Sequence, residues 1–246
     1  MNSAAAVPPA PDPSDSSDAS DPSGSSGARR RPYDTSSRRA AARAHRAAVL
    51  DASRELFLRD GYRATTIKAV ARAAGVSPET VYKGFGTKAA LLKALWDVTQ
   101  AGDDEPLTMA ERPLLRGVLD ARADLGETLW RYAGFVADTH ERLADLVLLL
   151  EQAGPDASGI VAETDTERLR GVTAFLGHLA EQGLLGPGAE RAPGYAADAG
   201  WALTGPLLYV RLTRERGWSA ATYRHWLRDM LSAAWGPEGA GGPAGE

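Results

Sequence analysis

Apolar residues recur along this chain at three- and four-residue spacings and nowhere alternate over a useful length, which predicts an all-α fold. Val49, Ala52, Leu56 and Phe57 mark the buried face of a first helix, which Asp60-Gly61 should end because glycine accepts the left-handed conformation past a helix terminus. A short second stripe follows in Ile67, Val70, Ala71 and Ala74. Leu91, Leu92, Leu95 and Trp96 mark a fourth helix that starts after Thr87, a natural N-cap. Farther on, Leu125, Leu129, Tyr132 and Val136, then Leu143, Leu146, Val147 and Leu150, then Leu169, Val172, Leu176, Leu179 and Ala180 each fit one face of a long helix. Two closing helices are read from Trp201, Thr204, Leu208 and Leu212 and from Tyr223, Trp226, Leu227, Met230 and Leu231. Gly217-Trp218-Ser219 is the turn between them, and Pro206 should kink the first or frame its start.

Outside these stripes the polar positions divide the chain. Residues 1–37 are rich in Ser, Asp, Pro, Ala and Gly and have almost nothing to bury, so they read as a disordered tail, as does the Gly/Pro-rich stretch 236–246. The segment 102–113, with Gly102, Asp103, Asp104, Pro106 and Pro113, reads as a joint between an N-terminal domain, 38–101, and a C-terminal domain, 102–235.

Charge sharpens that division. The net charge is −4, but residues 28–100 carry 15 Lys and Arg against 6 Asp and Glu, whereas residues 101–246 carry 13 against 22. A basic segment on an acidic chain suggests a nucleic-acid module joined to a unit with another task, although a charged face can also be solvated and nothing more. There is no cysteine, which excludes disulfides, thiolate metal sites and thiol catalysis. The start Met1-Asn2-Ser3 lacks the basic and apolar parts of a secretory signal, Arg29-Arg30-Arg31 sits among polar residues, and the longest aliphatic run, Leu146 to Leu150, is too short to span a bilayer. A cytoplasmic protein with no membrane partner is therefore expected.

The most informative stretch runs from Thr65 to Phe85. A short helix stops at Gly75, and Ser77-Pro78 announces the next, Ser77 as N-cap and Pro78 at the first helical position. This is a helix-turn-helix pattern, in which Val70, Ala71, Val76 and Val81 supply the small apolar contacts between two helices near a right angle. Its outer face offers Glu79, Thr80 and Lys83 to base edges, and the Tyr82 hydroxyl to a phosphate. From Arg46 through Leu56-Phe57, Gly61-Tyr62, Thr65-Thr66-Ile67, Val70-Ala71, Ala74-Gly75-Val76-Ser77 and Val81-Tyr82 to Phe85, Lys88 and Leu91, the chain resembles the TetR family of transcriptional regulators. The Tyr82, Phe85, Lys88 spacing is what separates that family from other three-helix readers.

The resemblance implies an N-terminal three-helix DNA-binding domain followed by a helical bundle for ligand binding and dimerisation. Thr66 and Tyr82, and Lys88 at the start of the fourth helix, would contact phosphates, with Thr65 and Ser77 at the same surface. Many relatives carry histidine or another large residue where this chain has Gly84, so a contact there is absent and Lys83 carries more of the interaction. Arg38, Arg39, Arg43 and Arg46 either neutralise phosphates or enter a minor groove as a flexible arm, or else only solubilise a tail. A fainter likeness in Ala197-Asp198, Trp201 to Thr204, Tyr209, Gly217-Trp218 and Tyr223 to Leu227 resembles the closing helices of many actinobacterial TetR-like regulators. It implies a homodimer joined through Trp201, Leu208, Leu212, Tyr223, Trp226, Leu227 and Met230, which would set two reading heads about 34 Å apart.

The remaining residues point to no catalysis. His45, His140, His178 and His225 form no spaced metal-ligand pair, Gly183 to Gly188 lacks the lysine and strand of a phosphate cradle, and Asp103-Asp104-Glu105 reads as solvated linker. No acid, base and nucleophile converge, so neither an enzyme nor a cofactor or metal is expected. A small-molecule effector is expected from the family, in a pocket drawn from Trp130, Phe135, His140, Phe175, His178, Trp201, Thr204 and Tyr209, each of which has core packing as its competing role. The expected protein is a dimeric repressor that an unknown effector releases from double-stranded, palindromic operator DNA. The alternatives are an activator, or an architectural DNA-binding protein whose bundle would have a solid core.

Overall fold

The computed structural model describes residues 35–120, 123–190, 192 and 194–236. The tails read at 1–37 and 236–246 therefore lie outside the described residues, except that Thr35 opens the first helix and Gly236 follows the last. Among the described residues there is no strand. The helices are α1 (Thr35–Ala64), α2 (Ile67–Ala73), α3 (Pro78–Phe85), α4 (Lys88–Ala101), α5 (Pro113–Leu119), α6 (Leu125–Ala153), α7 (Ser158–Glu181), α8 (Tyr195–Leu203), α9 (Pro206–Val210) and α10 (Ala220–Trp235).

The terminators act where their chemistry places them, with one shift. Gly61 takes φ 82°, ψ 162°, so it kinks α1 without stopping it, and one more turn runs on to Ala64. Thr66, Ser77 and Thr87 cap α2, α3 and α4, each side-chain oxygen accepting the backbone N–H three residues on. Each cap satisfies one of the donors that a helix start leaves open, a contribution of about 1 kcal/mol. Gly75, at φ 68°, makes the turn between α2 and α3 that a residue with a Cβ enters only under strain.

The two apolar sets over 125–150 belong to one helix. Neither proline nor glycine separates Val136 from Leu143, so α6 runs unbroken for 29 residues and is the axis of the molecule. Its two halves serve different cores. Leu143, Leu146, Val147 and Leu150 join Val49, Phe57, Val70, Leu92 and Trp96 of α1, α2 and α4. Leu129, Tyr132 and Val136 join Val172, Phe175 and Leu179 of α7 and Tyr223, Leu227, Leu231 and Trp235 of α10.

Pro206 starts α9 after a break at Thr204 and Gly205. A π-helical turn, Arg211–Glu215, then leads to the turn at Gly217 and to Ser219, which caps α10.

Candidate DNA interface and effector cavity

Helix α3 shows its polar face outward and buries Val81 against the head. Tyr82 is 54% exposed, a large exposure for an aromatic ring. Glu79, Thr80, Lys83 and Gly84 are also exposed, and a side chain built at Gly84 would meet nothing. Ser77 lies at the exposed start of α3, its hydroxyl 3.2 Å from that of Thr80. The Glu79 carboxyl is held below its usual range by its own backbone N–H and by the Ser77 hydroxyl, so it stays ionised. Thr66 is exposed at the start of α2.

Three expected DNA contacts have other work in this structure. Thr65 is buried, and its hydroxyl donates to the carbonyls of Leu56 (3.1 Å) and Gly61 (2.9 Å), so it closes the kinked end of α1. The Lys88 ammonium turns back to the same end, donating to the carbonyls of Tyr62 (2.8 Å), Thr65 (3.1 Å) and Arg63 (3.4 Å), above the Tyr62 ring. A helix C-terminus has unpaired carbonyls and partial negative charge, and Lys88 answers both. Arg46 lies over the Phe85 ring and bonds Asp104 at 2.8 Å, which ties α1 and the end of α3 to the joint. Arg38, Arg39 and Arg43 are exposed on α1 itself, so the described arginines ride on a helix and not on a flexible arm.

Below the head lies a cavity of about 580 Å³ between α4, the joint 103–112, α5, α6 and α7. Of the expected wall residues, Phe135, His140, Phe175, His178 and Thr204 line it. Trp130, Trp201 and Tyr209 do not. Trp130 stacks under the guanidinium of Arg224, 3.7 Å away, and against His225. Trp201 faces a second cavity, of about 400 Å³, between α6, α7 and α9. Tyr209 packs edge-on against Tyr223. In each case the ring found an aromatic or cationic partner on a neighbouring helix, which helical spacing cannot reveal.

Sequence reasoning missed Arg112, Arg168 and Tyr132, and it read the acids at 103–105 as plain linker. Arg112 is 7% exposed and donates to Asp103 (2.7 Å) and to the Glu105 carbonyl (3.0 Å), so the acidic run folds over the cavity. That hydrogen bond from Arg112 holds the Asp103 carboxyl below its usual range. Only the Pro113 that follows Arg112 hinted at a fixed turn. His140 is 6% exposed, and burial, helped by Arg168, pushes its pKa down to about 3, so it is neutral. Among the described residues, no group of three or more His, Asp or Glu is placed to hold a metal ion, and no helix is long and apolar enough to cross a membrane.

The expected dimer residues separate by face. Tyr223 and Leu227 are fully buried against the chain's own core, so they cannot meet a second subunit. They share one α10 face with Leu231; Trp226 is half-buried at the edge of the same core, against Tyr223 and Trp218, whereas Met230 is 37% exposed. Trp201, Leu208 and Leu212 are half-buried.

Residues 49–95 match the family described as bacterial regulatory proteins, tetR family. An uncharacterized HTH-type transcriptional regulator of Bacillus subtilis (strain 168), YvkB, is 35% identical over 81 residues, which are 33% of this chain and 43% of that protein. The match thus spans less than half of that relative's length. The fold extends farther. NalD, the secondary repressor of the MexAB-OprM multidrug efflux pump in Pseudomonas aeruginosa, superposes with a TM-score of 0.60 at 21% identity, over 81% of this chain and 99% of NalD. The transcriptional regulator FadR from Bacillus subtilis, in complex with stearoyl-CoA, gives 0.56 at 18% identity, over 76% of this chain and 97% of FadR. Residues 49–95 thus resemble the bacterial regulatory proteins of the tetR family, and the helical body has the fold seen in NalD and FadR.

Proposed function

We propose that this protein is a cytoplasmic, dimeric repressor that binds a palindromic operator through α2 and α3 and is released by a small-molecule effector held beside α6. The observation that carries this reading is the pairing of an outward, polar α3 with a cavity of about 580 Å³ whose wall includes the joint to the head. A solid bundle would have favoured an architectural protein. The neighbours that share the fold include a repressor and a regulator bound to stearoyl-CoA, which fit this division of labour.

In the operator complex Thr66 and Tyr82 hold phosphates at the exposed starts and flank of the reading helices. Lys83 and Thr80 reach base edges. Glu79, an ionised acceptor, suits a cytosine amino group and disfavours other bases at that position. Trp226 and Met230, with Leu208 and Leu212, form the subunit contact, an isologous arrangement that matches operator symmetry. The Ala- and Arg-rich composition and the Trp201 to Trp226 pattern support an actinobacterial type within the family. Effector binding favours a state whose two heads no longer fit the half-site spacing, by no more than its differential affinity for the two states.

Fluorescence anisotropy with DNA from upstream of the protein's own gene tests this. The expected result is sequence-selective, salt-dependent binding that weakens at least about tenfold in Tyr82→Ala on every sequence, while Lys83→Ala changes the preferred sequence. Equal affinity for that DNA and a scrambled duplex would overturn the reading.

A further inference from the structure

The cavity wall contains polar atoms with nothing to bond. Among the described residues, the buried side-chain atoms without a hydrogen-bond partner are Arg112 Nε, His140 Nδ1 and the Tyr223 hydroxyl. Arg112 and His140 both line the cavity, and Tyr223 packs next to His140, ring centroids 6.4 Å apart. Leaving such a group unsatisfied is costly, and folded proteins keep few of them without a reason. Two of them on the wall of one open volume, with the third behind His140, point to a polar group supplied from outside the chain.

The charges around that volume decide what kind of group. Arg112 is neutralised by Asp103, and Arg168 by Asp165 at 2.8 Å while its guanidinium lies over Trp201. Beside the cavity, Lys93 is shared by Asp97 (2.7 Å), Glu167 (3.1 Å) and Glu163 (3.8 Å), Arg46 takes Asp104, and Glu105 adds a further carboxylate to the wall. An anionic ligand would lose its hydration there and face these acids without gaining an uncommitted cation, which is unfavourable. The apolar part of the wall combines aliphatic residues such as Leu107, Leu115, Leu119 and Val136 with an aromatic pair, Tyr132 stacked on Phe175 at 4.0 Å and 14°.

Building on the reading of this cavity as the effector site, we infer that it excludes anions and takes an apolar molecule whose uncharged amide- or carbonyl-type group hydrogen-bonds to His140. Buried and neutral, the imidazole presents a donor on one nitrogen and an acceptor on the other, so it recognises a polar group but offers no counter-charge. The apolar body lies along the Tyr132 and Phe175 rings and the aliphatic side chains beside them.

Two molecules of one shape and different charge test this on the full chain by titration calorimetry near neutral pH: biphenyl-4-carboxamide and biphenyl-4-carboxylate. The carboxamide should bind at least about tenfold more tightly than the carboxylate. His140→Phe should weaken the carboxamide roughly five- to tenfold while leaving unsubstituted biphenyl unchanged. In the wild-type chain labelled with ¹⁵N-histidine, the His140 ring nitrogens should shift on titration with the carboxamide, a readout that does not depend on the variant folding. A carboxylate that binds as tightly as the carboxamide, a His140 signal that stays still, or no binding by either probe overturns the inference. Binding to promoter DNA, measured without these compounds, is independent, so a protein that binds its DNA but none of the probes loses this inference and keeps its role as a regulator.

Discussion

Lys88 and His140 are both polar residues whose environment, more than their type, sets what they do. Lys88 gives its donors to three carbonyls at the end of α1, so its first contribution is to the stability of the head. Lys88→Ala should lower head stability by about 1–3 kcal/mol, because carbonyls of a helix end lose their partner, and urea unfolding will show it. A loss of DNA affinity at unchanged stability would instead return Lys88 to the phosphate backbone. For His140 the folded-state pKa, about 3, lies below the ordinary value of 6.5, because burial penalises the cation and Arg168 adds to that. A depressed base contributes stability that is present above the unfolded pKa and is lost as pH falls from about 6.5 toward 3. Between pH 7 and pH 5 the wild type should therefore lose about 2 kcal/mol more than His140→Phe. Chemical denaturation of both proteins at the two pH values measures this, and parallel pH profiles would show that the imidazole is hydrated.

Among the elements, α8 and α10 approach each other closely at Gly200. Gly200 of α8 packs where an added Cβ would come within 2.4 Å of Trp235 and 2.7 Å of Val172. The Trp235 ring is fully buried and held by a hydrogen bond from its indole N–H to the Ala196 carbonyl, 2.9 Å, so it cannot yield easily. Gly200→Ala should cost about 1–3 kcal/mol despite alanine's better helix propensity. Thermal melting tests this, and a stabilised variant would mean that α8 and α10 part readily. In α3, by contrast, Gly84 has open space around it, so steric exclusion does not explain the glycine. Periodicity located these helices because each buries one face. It could not tell which α10 residues meet the chain's own α6 and which look outward, since both kinds are apolar and lie a turn apart.

At the scale of the whole molecule, α6 carries one core at each end, so its cavity-lining half and the helices that support α3 are joined by a single continuous helix. The Arg46–Asp104 pair is a second link between the same parts. Because Asp104 already neutralises Arg46, Arg46→Ala should leave the salt dependence of DNA binding nearly unchanged, whereas Arg43→Ala should reduce its slope by about 1 and Asp104→Ala should increase it. Anisotropy titrations at several salt concentrations separate the three variants. Equal slopes for Arg43→Ala and Arg46→Ala would place both side chains on phosphates.

The helix-turn-helix was legible in the sequence because its signals are local. A glycine in the turn, the Ser77-Pro78 start and an apolar stripe act over a few residues and hold in any context. The all-α fold followed from the same short-range periodicity. What tertiary structure alone decided is which polar residues remain available. Thr65, Lys88 and Arg46 have suitable chemistry for phosphate, yet they are bonded to Gly61, to the end of α1 and to Asp104. The cavity belongs to the same class of information. Arg112, the α6 residues Tyr132 and His140, and Arg168 come from three separate segments, and their meeting depends on how the joint, α6 and α7 pack, because side-chain partners across helices leave no period in the sequence.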